Sequence, residues 1–475
     1  MLVYGCSRVS KCSGAGGRLF DRSAAPGGGT RSAVGRATIG AVKVTRAWAI
    51  EPNGPLSGEI EVAGSKNVVT KLMVAALLGD SPTWLLNAPR VGDVEITADI
   101  LRAIGAGVAV EGTSVAIDPV QLSDGRVPVR YSGLNRIPIL MIGPLLHRLG
   151  EVFVPLVGGD AIGTRPIDYH LDALRQLGAE ISVTDEGIEA KASQLHGARI
   201  RLPFPSVGAT ETVLLAASMA EGRTVLEGAA IEPEVVELAL FLQRMGAGIE
   251  LQPDRRFVIE GKSRLSGSRQ RIGGDRIEAF SYLIAGLVTG GEVRVTGCTQ
   301  DRLVTAISTL RRMGASFVIE DDGITVRASD LRPIAVHTSP HPGFITDWQP
   351  PLAVLFTQIA GMSLIHETVF EDRLGYVEAL KVMGAEIELY DQCLGGEACR
   401  FHEHEWLHSA VVHGKTSLVG AEIHMPDIRA AFAYVLAAAT ASSPSVLSGV
   451  DQLERGYDDV ATKFRSLGLV IDEVS

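Results

Sequence analysis

Apolar and polar positions along this chain fall into one phrase that recurs six times: an apolar residue, two variable positions, a second apolar residue, then glycine. It reads Leu101-Arg-Ala-Ile-Gly105, Leu174-Arg-Gln-Leu-Gly178, Leu242-Gln-Arg-Met-Gly246, Leu310-Arg-Arg-Met-Gly314, Leu380-Lys-Val-Met-Gly384 and Phe464-Arg-Ser-Leu-Gly468. The glycines stand 73, 68, 68, 70 and 84 residues apart, and a period sustained over most of a chain dictates its fold. Apolar residues three apart share a helix face, and glycine after the last supplies a left-handed C-cap. The segments that follow, such as Glu180-Ile-Ser-Val-Thr and Glu386-Ile-Glu-Leu-Tyr, alternate like strands. Each unit is therefore predicted to be a strand, a helix and paired strands.

Six such units divide into two α/β domains of three. Units one to three run to about Gly274, and the crossing is expected at Gly273-Gly-Asp-Arg276, before the helix-like run Ile277–Val288. Order is expected to begin near Lys43–Ile50 with a strand, followed by Gly58-Glu-Ile-Glu-Val-Ala. These N-terminal strands are expected to pack with the C-terminal half. One domain is then 66–274, and the other is 45–65 plus 275–475. Residues 1–44 are a different substance: the stretch to Arg46 holds eight Arg and Lys against the single acid Asp21, amid Gly, Ser and Ala. They read as a disordered tail or a wrongly chosen upstream start, with an organellar transit peptide as the alternative.

Composition narrows the partners. The 46% apolar content suffices for two cores, and the net charge of −11 argues against a general nucleic-acid or membrane-surface binder. An acidic protein that binds anions must gather its Arg and Lys locally. Five cysteines without regular spacing suggest a reducing compartment. No run approaches the ~18 apolar residues that span a bilayer, so a cytoplasmic protein is expected.

Candidate cofactor signals are weak. The last interval is longer than the others, and the surplus, Gln392–His408, contains Cys393, Cys399, His402, His404 and His408. Their spacing, Cys-x5-Cys-x2-His-x-His, is not the knuckle of a structural zinc site, so no metal is expected. Gly158-Gly-Asp-Ala-Ile-Gly163 lacks the spacing and the Lys-Ser/Thr of a phosphate loop, and no dinucleotide fingerprint is present, so no organic cofactor is expected either.

Other segments are too specific for packing alone. They are Gly64-Ser-Lys66-Asn67, Asn135-Arg136-Ile-Pro, Gly158-Gly-Asp160-Ala-Ile-Gly-Thr-Arg165-Pro-Ile-Asp168, Ser206-Val-Gly-Ala-Thr210, Ile231-Glu-Pro-Glu234, Gly274-Asp-Arg-Ile-Glu278, His341-Pro-Gly-Phe-Ile-Thr-Asp347, Glu367-Thr-Val-Phe-Glu-Asp-Arg373, Pro426-Asp-Ile-Arg429 and Glu454-Arg455-Gly-Tyr457. In this order the chain, from about residue 45 to its end, closely resembles the UDP-N-acetylglucosamine 1-carboxyvinyltransferase family of enolpyruvyl transferases. The resemblance implies two inside-out α/β barrel-like domains closing on a central cleft. It also implies transfer of the enolpyruvyl group of phosphoenolpyruvate to the 3-hydroxyl of UDP-N-acetylglucosamine, with release of phosphate, as the opening step of peptidoglycan precursor synthesis.

Residue by residue, the resemblance makes Lys66, Arg165 and Arg455 the phosphoenolpyruvate cradle, where guanidinium forks suit phosphate and carboxylate. Arg136 and Arg429 are further cations of the site. Asp347 is the general base beside the sugar hydroxyl, although an aspartate there can equally cap a helix starting near Trp348. Asn67, Asp427, the segment Arg165, Pro166, Ile167, Asp168 and Tyr169, and Ser206, Val207 and Gly208 handle the nucleotide. Val369 and Arg373 complete the substrate-binding set. Helix N-termini facing the cleft would favour the phosphates.

This chain departs from the pattern in two places. Most family members carry cysteine where Asp160 stands, at the position that protonates the methylene carbon of phosphoenolpyruvate. An acid can serve if the site raises its pKa from ~3.9, as a nearby phosphate dianion would, and the change implies insensitivity to fosfomycin, the epoxide that alkylates the loop cysteine. Phe204 replaces a lysine near the nucleotide diphosphate, and Ile231 an arginine nearby. That loss leaves open an alternative acceptor, such as uridine monophosphate in nucleoside-antibiotic assembly. A sugar-nucleotide sensor without turnover would have no need of Lys66, Asp347, Asp427, Arg429 and Arg455 together. A nucleotidyl-transferring cyclase would need a nucleophilic histidine, for which His424 is the nearby candidate.

Overall fold

The structure, a computed structural model, describes residues 46–159, 163, 165–396 and 398–474, with Arg429 described in its backbone only. The extension 1–44 and Asp160 lie outside the described residues. All six repeat glycines do what their phrase predicts. Gly105, Gly178, Gly246, Gly314, Gly384 and Gly468 have φ of 98°, 99°, 111°, 106°, 94° and 102°, a region that only glycine enters without strain. Each follows a helix, for example Pro233–Met245 before Gly246 and Val304–Met313 before Gly314. Each precedes a strand, such as Gly248–Gln252 or Ser316–Ile319.

The unit is richer than strand, helix and paired strands. Each carries a second helix: Lys66–Ala75, Ile142–Leu149, Val207–Ala217, Arg276–Thr289, Gln349–Thr357 and Ile428–Thr440. These helices form the interior. Val207–Ala217 is buried from Ala209 onward and Gln349–Thr357 throughout. A helix that is apolar all round has no polar face to give it a 3.6-residue rhythm, so the period that revealed the outer helices is missing here. The sheets lie outside, with alternate residues turned inward, which makes each half an inside-out α/β domain.

Five of the described sheets have four strands and one has three. In the four-stranded sheets three strands pair antiparallel and a fourth is parallel at the edge, as Arg199–Arg201 is to Arg223–Glu227. In the three-stranded sheet of Glu151–Pro155 a single parallel bridge, Arg126 to Phe153, stands in the place of the fourth strand.

The buried apolar residues form two separate clusters. One runs from Val68 to Ile272; the other joins Trp48–Val62 to Ile277–Ile471. The N-terminal strand Ala47–Glu51 pairs antiparallel with both Ser445–Ser448 and Val470–Val474, and Ser57–Glu61 lies parallel to Glu292–Thr296. Between the halves the contacts are largely charged. Arg276 forks onto Glu234 at 2.8 and 2.9 Å, Arg302 meets Glu237 at 2.6 Å, and Arg90 meets Asp458 at 3.2 Å. Among the described residues no helix is long and apolar enough to cross a membrane.

Candidate active site

A cavity of about 340 Å³ opens between the halves, the size of a small-ligand site. Several helix starts contribute to its wall. Asn67, Ile137, Asp168 with Tyr169, Val207 with Gly208, and Arg276 with Ile277 all stand in the first turns of their helices. First-turn N–H groups have no partner within their own helix, and the helix dipole adds positive charge there; Asp275 takes those of Ile277 and Glu278, and Asn135 that of Ile137. Ser206 caps the helix Val207–Ala217, its Oγ accepting from Ala209 N at 3.3 Å. A Cβ on Gly208 would stand 2.8 Å from His170 Cε1. That imidazole is pinned by Thr212 Oγ1, 2.7 Å from Nδ1. Burial, with the charge of Arg136, pushes the His170 pKa down to about 3, so the ring is neutral.

Two cations sit side by side on one wall. Arg136 donates to the Arg165 carbonyl at 3.0 Å, and burial together with the Arg165 charge lowers its pKa to about 10. It stays charged at neutral pH. Arg165 holds the left-handed φ of 43°, uncommon for a residue with a side chain. Gly159 packs so closely that a Cβ there would meet Arg165 Nη1 at 2.6 Å, and one on Gly163 would run into the Glu371 carboxylate. The two glycines that flank the Asp160 segment thus abut this cation pair and Glu371.

Asp347 faces the cavity from the turn Thr346–Trp348, which leads into the helix Gln349–Thr357. Buried Arg373 holds it from behind, Nη2 to Oδ1 at 3.3 Å. Wholly buried Glu367 ties this corner together. One of its oxygens accepts from Thr346 Oγ1 and Gln349 Nε2, and the other accepts from the backbone N–H of Val369 and Phe370.

Of the residues singled out in the sequence, Asn67, Arg136, Arg165, Pro166, Asp168, Tyr169, Ser206, Val207, Gly208, Asp347 and Val369 line this one cavity. Ile167 caps the helix start, its carbonyl accepting from His170 and Leu171 N–H. Asp427 accepts from Ala430 N at 2.9 Å at the head of Ile428–Thr440, where Arg429 occupies the first turn. Lys66 and Arg455 do not reach the cavity wall. Asp93 bridges them, 2.8 Å from Lys66 Nζ and 3.1 Å from Arg455 Nη2. His424, the candidate cyclase nucleophile, is exposed and bonded to Ser448 Oγ.

Sequence reasoning missed Lys71, Glu211 and Arg400 on the wall and Asp93 behind it. Lys71 was legible in principle, since Asn67 and Lys71 are four apart on one helix face. Arg400 comes from the surplus Gln392–His408, and its guanidinium lies 4.8 Å from the ring centroid of Phe204 and 3.7 Å from a Glu371 oxygen. The chain therefore supplies a cation at Phe204 itself, from the opposite half.

The chain is similar to known proteins over most of its length. Residues 50–464 match the family described as EPSP synthase (3-phosphoshikimate 1-carboxyvinyltransferase). The chain is 43% identical over 426 residues to the UDP-N-acetylglucosamine 1-carboxyvinyltransferase of Protochlamydia amoebophila, covering 87% of this chain and 91% of that one. It is 44% identical to the same-named protein of Chlamydia pneumoniae, covering 88% and 93%. The crystal structure of the enolpyruvyl transferase NikO from Streptomyces tendae superposes with a TM-score of 0.80 at 23% identity, covering 90% of this chain and 99% of that one.

Proposed function

Since the chain belongs to the UDP-N-acetylglucosamine 1-carboxyvinyltransferase family of enolpyruvyl transferases, we propose that it transfers the enolpyruvyl group of phosphoenolpyruvate to the 3-hydroxyl of UDP-N-acetylglucosamine, releasing phosphate. The observation that carries this reading is the single cavity in which Asp347, backed by Arg373, shares the wall with Arg136, Arg165 and a set of helix starts. It offers a base for the hydroxyl and, in Arg136, Arg165 and Arg400, cations for two polyanions. We draw the domains at 66–274 and at 45–65 plus 275–475, a division supported by the two separate apolar clusters.

In this mechanism Asp347 accepts the proton of the sugar hydroxyl as its oxygen bonds to C2 of phosphoenolpyruvate. Asp160, in its acid form, delivers a proton to the methylene carbon, giving a tetrahedral adduct. The C2–O bond to phosphate then breaks and the methyl group returns a proton to the Asp160 carboxylate, which re-forms the C=C bond and leaves the vinyl ether. Arg165 on the wall, joined by Lys66 and Arg455 from beside the cavity, holds the phosphate and carboxylate. Asp93, between Lys66 and Arg455, keeps those two cations at a common position. Arg136, Asn67, Asp168, Tyr169, Ser206 and Gly208 receive the nucleotide. The reaction as written needs no metal or organic cofactor, and its substrates place the enzyme in the cytoplasm.

Uridine monophosphate is the less supported acceptor. The relatives at 43–44% identity carry the sugar-nucleotide name, and Arg400 returns a cation to the place where Phe204 removed one. The test is phosphate release from phosphoenolpyruvate with each nucleotide in turn. Release with UDP-N-acetylglucosamine is expected; release with uridine monophosphate alone would sink the assignment.

A further inference from the structure

The surplus segment that delivers Arg400 folds around a cluster of soft ligands. Ligand atoms of His366, Cys393, Cys399 and His408 all lie within 4.8 Å of one another. His402 and His404, nearer in sequence to the cysteines, point to solvent instead. The fourth member, His366, ends the strand Gly361–His366 and is linked to the segment only by folding. We propose that these four residues form a closed, structural zinc site that holds the segment 392–408, and with it Arg400, in place.

The two shortest spacings match edges of a four-coordinate centre, and all four ligand atoms lie close enough to close on one ion. With Zn–S of about 2.3 Å and Zn–N of about 2.0 Å, a tetrahedron has S···S and S···N edges of roughly 3.5–3.8 Å. Cys393 Sγ is 3.5 Å from Cys399 Sγ and 3.4 Å from His408 Nε2. The sulfurs are far beyond disulfide distance, and both cysteines are free. A set of two thiolates and two imidazoles in this geometry selects zinc among the common divalent ions.

The surroundings are those of metal ligands. His408 Nδ1 lies 2.7 Å from the Trp406 carbonyl; donating its proton there leaves the Nε2 lone pair facing Cys393. His366 Nδ1 is 3.2 Å from His337 Nδ1, whereas His366 Nε2 is buried and finds no hydrogen-bond partner. An orphaned nitrogen in a buried site calls for an explanation, and a bound cation supplies it. Backbone N–H groups point at both sulfurs, from Cys399 to Cys393 Sγ at 3.4 Å and from Phe401 to Cys399 Sγ at 3.3 Å. Gly395 passes against the rings of His337 and His366, where a Cβ would collide with both. With four protein ligands the centre has no open position for substrate, so its role is structural. Arg400 follows Cys399 directly, and the site thus sets where that guanidinium stands over Phe204. Only the link from Arg400 to the nucleotide rests on the function proposed above.

Metal analysis of the full chain, purified without chelator, should give about one zinc per chain, and Cys393→Ser with Cys399→Ser should remove it. Chelator-stripped protein titrated with Co²⁺ should show the thiolate charge-transfer band and the intense visible bands of a tetrahedral ion, and Cys399→Ser should not. Trypsin should spare the bond after Arg400 in the zinc form and cut it after stripping. A reduced chain that holds no zinc and gives no cobalt spectrum would overturn the site, as would a Cys393–Cys399 disulfide in freshly isolated protein. Equal cutting after Arg400 with and without zinc would overturn its hold on the segment. Each readout is independent of turnover, so a failure of the proposed reaction leaves it standing.

Discussion

Asp347 and Asp160 divide the proton traffic of the proposed reaction, and each can be tested alone. In Asp347→Asn the contact with Arg373 can persist through the amide oxygen, but the side chain no longer takes a proton. Turnover should fall by roughly 10²–10⁴-fold while nucleotide affinity changes little. Retention of more than about a tenth of the activity would move the base elsewhere. Asp160 offers a carboxyl where most of the family offers a thiol, and a carboxylate is a far weaker, harder nucleophile. Intact-mass measurement after incubation with fosfomycin and sugar nucleotide should show no adduct on the wild-type chain and a stable one on Asp160→Cys. An adduct on the wild type would mean that Asp160 does not hold the cysteine position. These single residues were legible because each sits in a long, ordered motif. Asp93 was not: its meaning comes only from lying between Lys66 and Arg455, on either side of it in space and far from Arg455 in sequence.

Helices ended by Gly105, Gly178, Gly246, Gly314, Gly384 and Gly468 could be read from the chain because a left-handed cap demands one residue type and an exposed helix keeps an apolar stripe. The inner helices escaped, since Val207–Ala217 and Gln349–Thr357 are apolar on every side. The surplus segment was visible in the sequence, but its role escaped for a different reason. Its partner His366 lies on a strand, and periodicity says nothing about a contact made across a fold. Arg400 belongs to this segment and supplies a charge-assisted contact to the nucleotide in our reading. Arg400→Ala should raise the KM for UDP-N-acetylglucosamine about tenfold or more, with kcat largely kept. An unchanged KM would show that Phe204 is left without a cationic substitute.

Across the whole molecule, the seam of ion pairs and buried acids ties stability to pH. Glu211, wholly buried and on the cavity wall, has its pKa pushed from 4.5 to about 7 by burial, against the opposing charge of Lys71. Between those two values the folded chain keeps a proton that the unfolded chain has released. Stability therefore falls as pH rises through this window and levels off above it, by about 3 kcal/mol for this one group. Burial moves Glu278 in the same direction, also to about 7. Urea midpoints at pH 5 and pH 8 should show the loss in the wild type and a smaller one in Glu211→Gln. The same drop in both would mean that Glu211 is ionised throughout. The division into two halves was legible from the repeat, whereas the charged character of their seam was not, because Arg276 and Glu234 become partners only when the halves meet.

The strand Ala47–Glu51 lies between Ser445–Ser448 and Val470–Val474, and Trp48 on it is 1% exposed. Among the first described residues to leave the ribosome, it is among the last to find its place. Residues 66–274 contain every strand of their own three sheets and can mature while synthesis continues. The other half must wait with its opening strands uncovered until the final residues emerge, an interval in which unpaired edges invite wrong partners. Nascent chains halted after residue 320 should protect 66–274 from protease and leave 46–61 open to it. The fluorescence of Trp48 should shift to its buried value only on release of the completed chain.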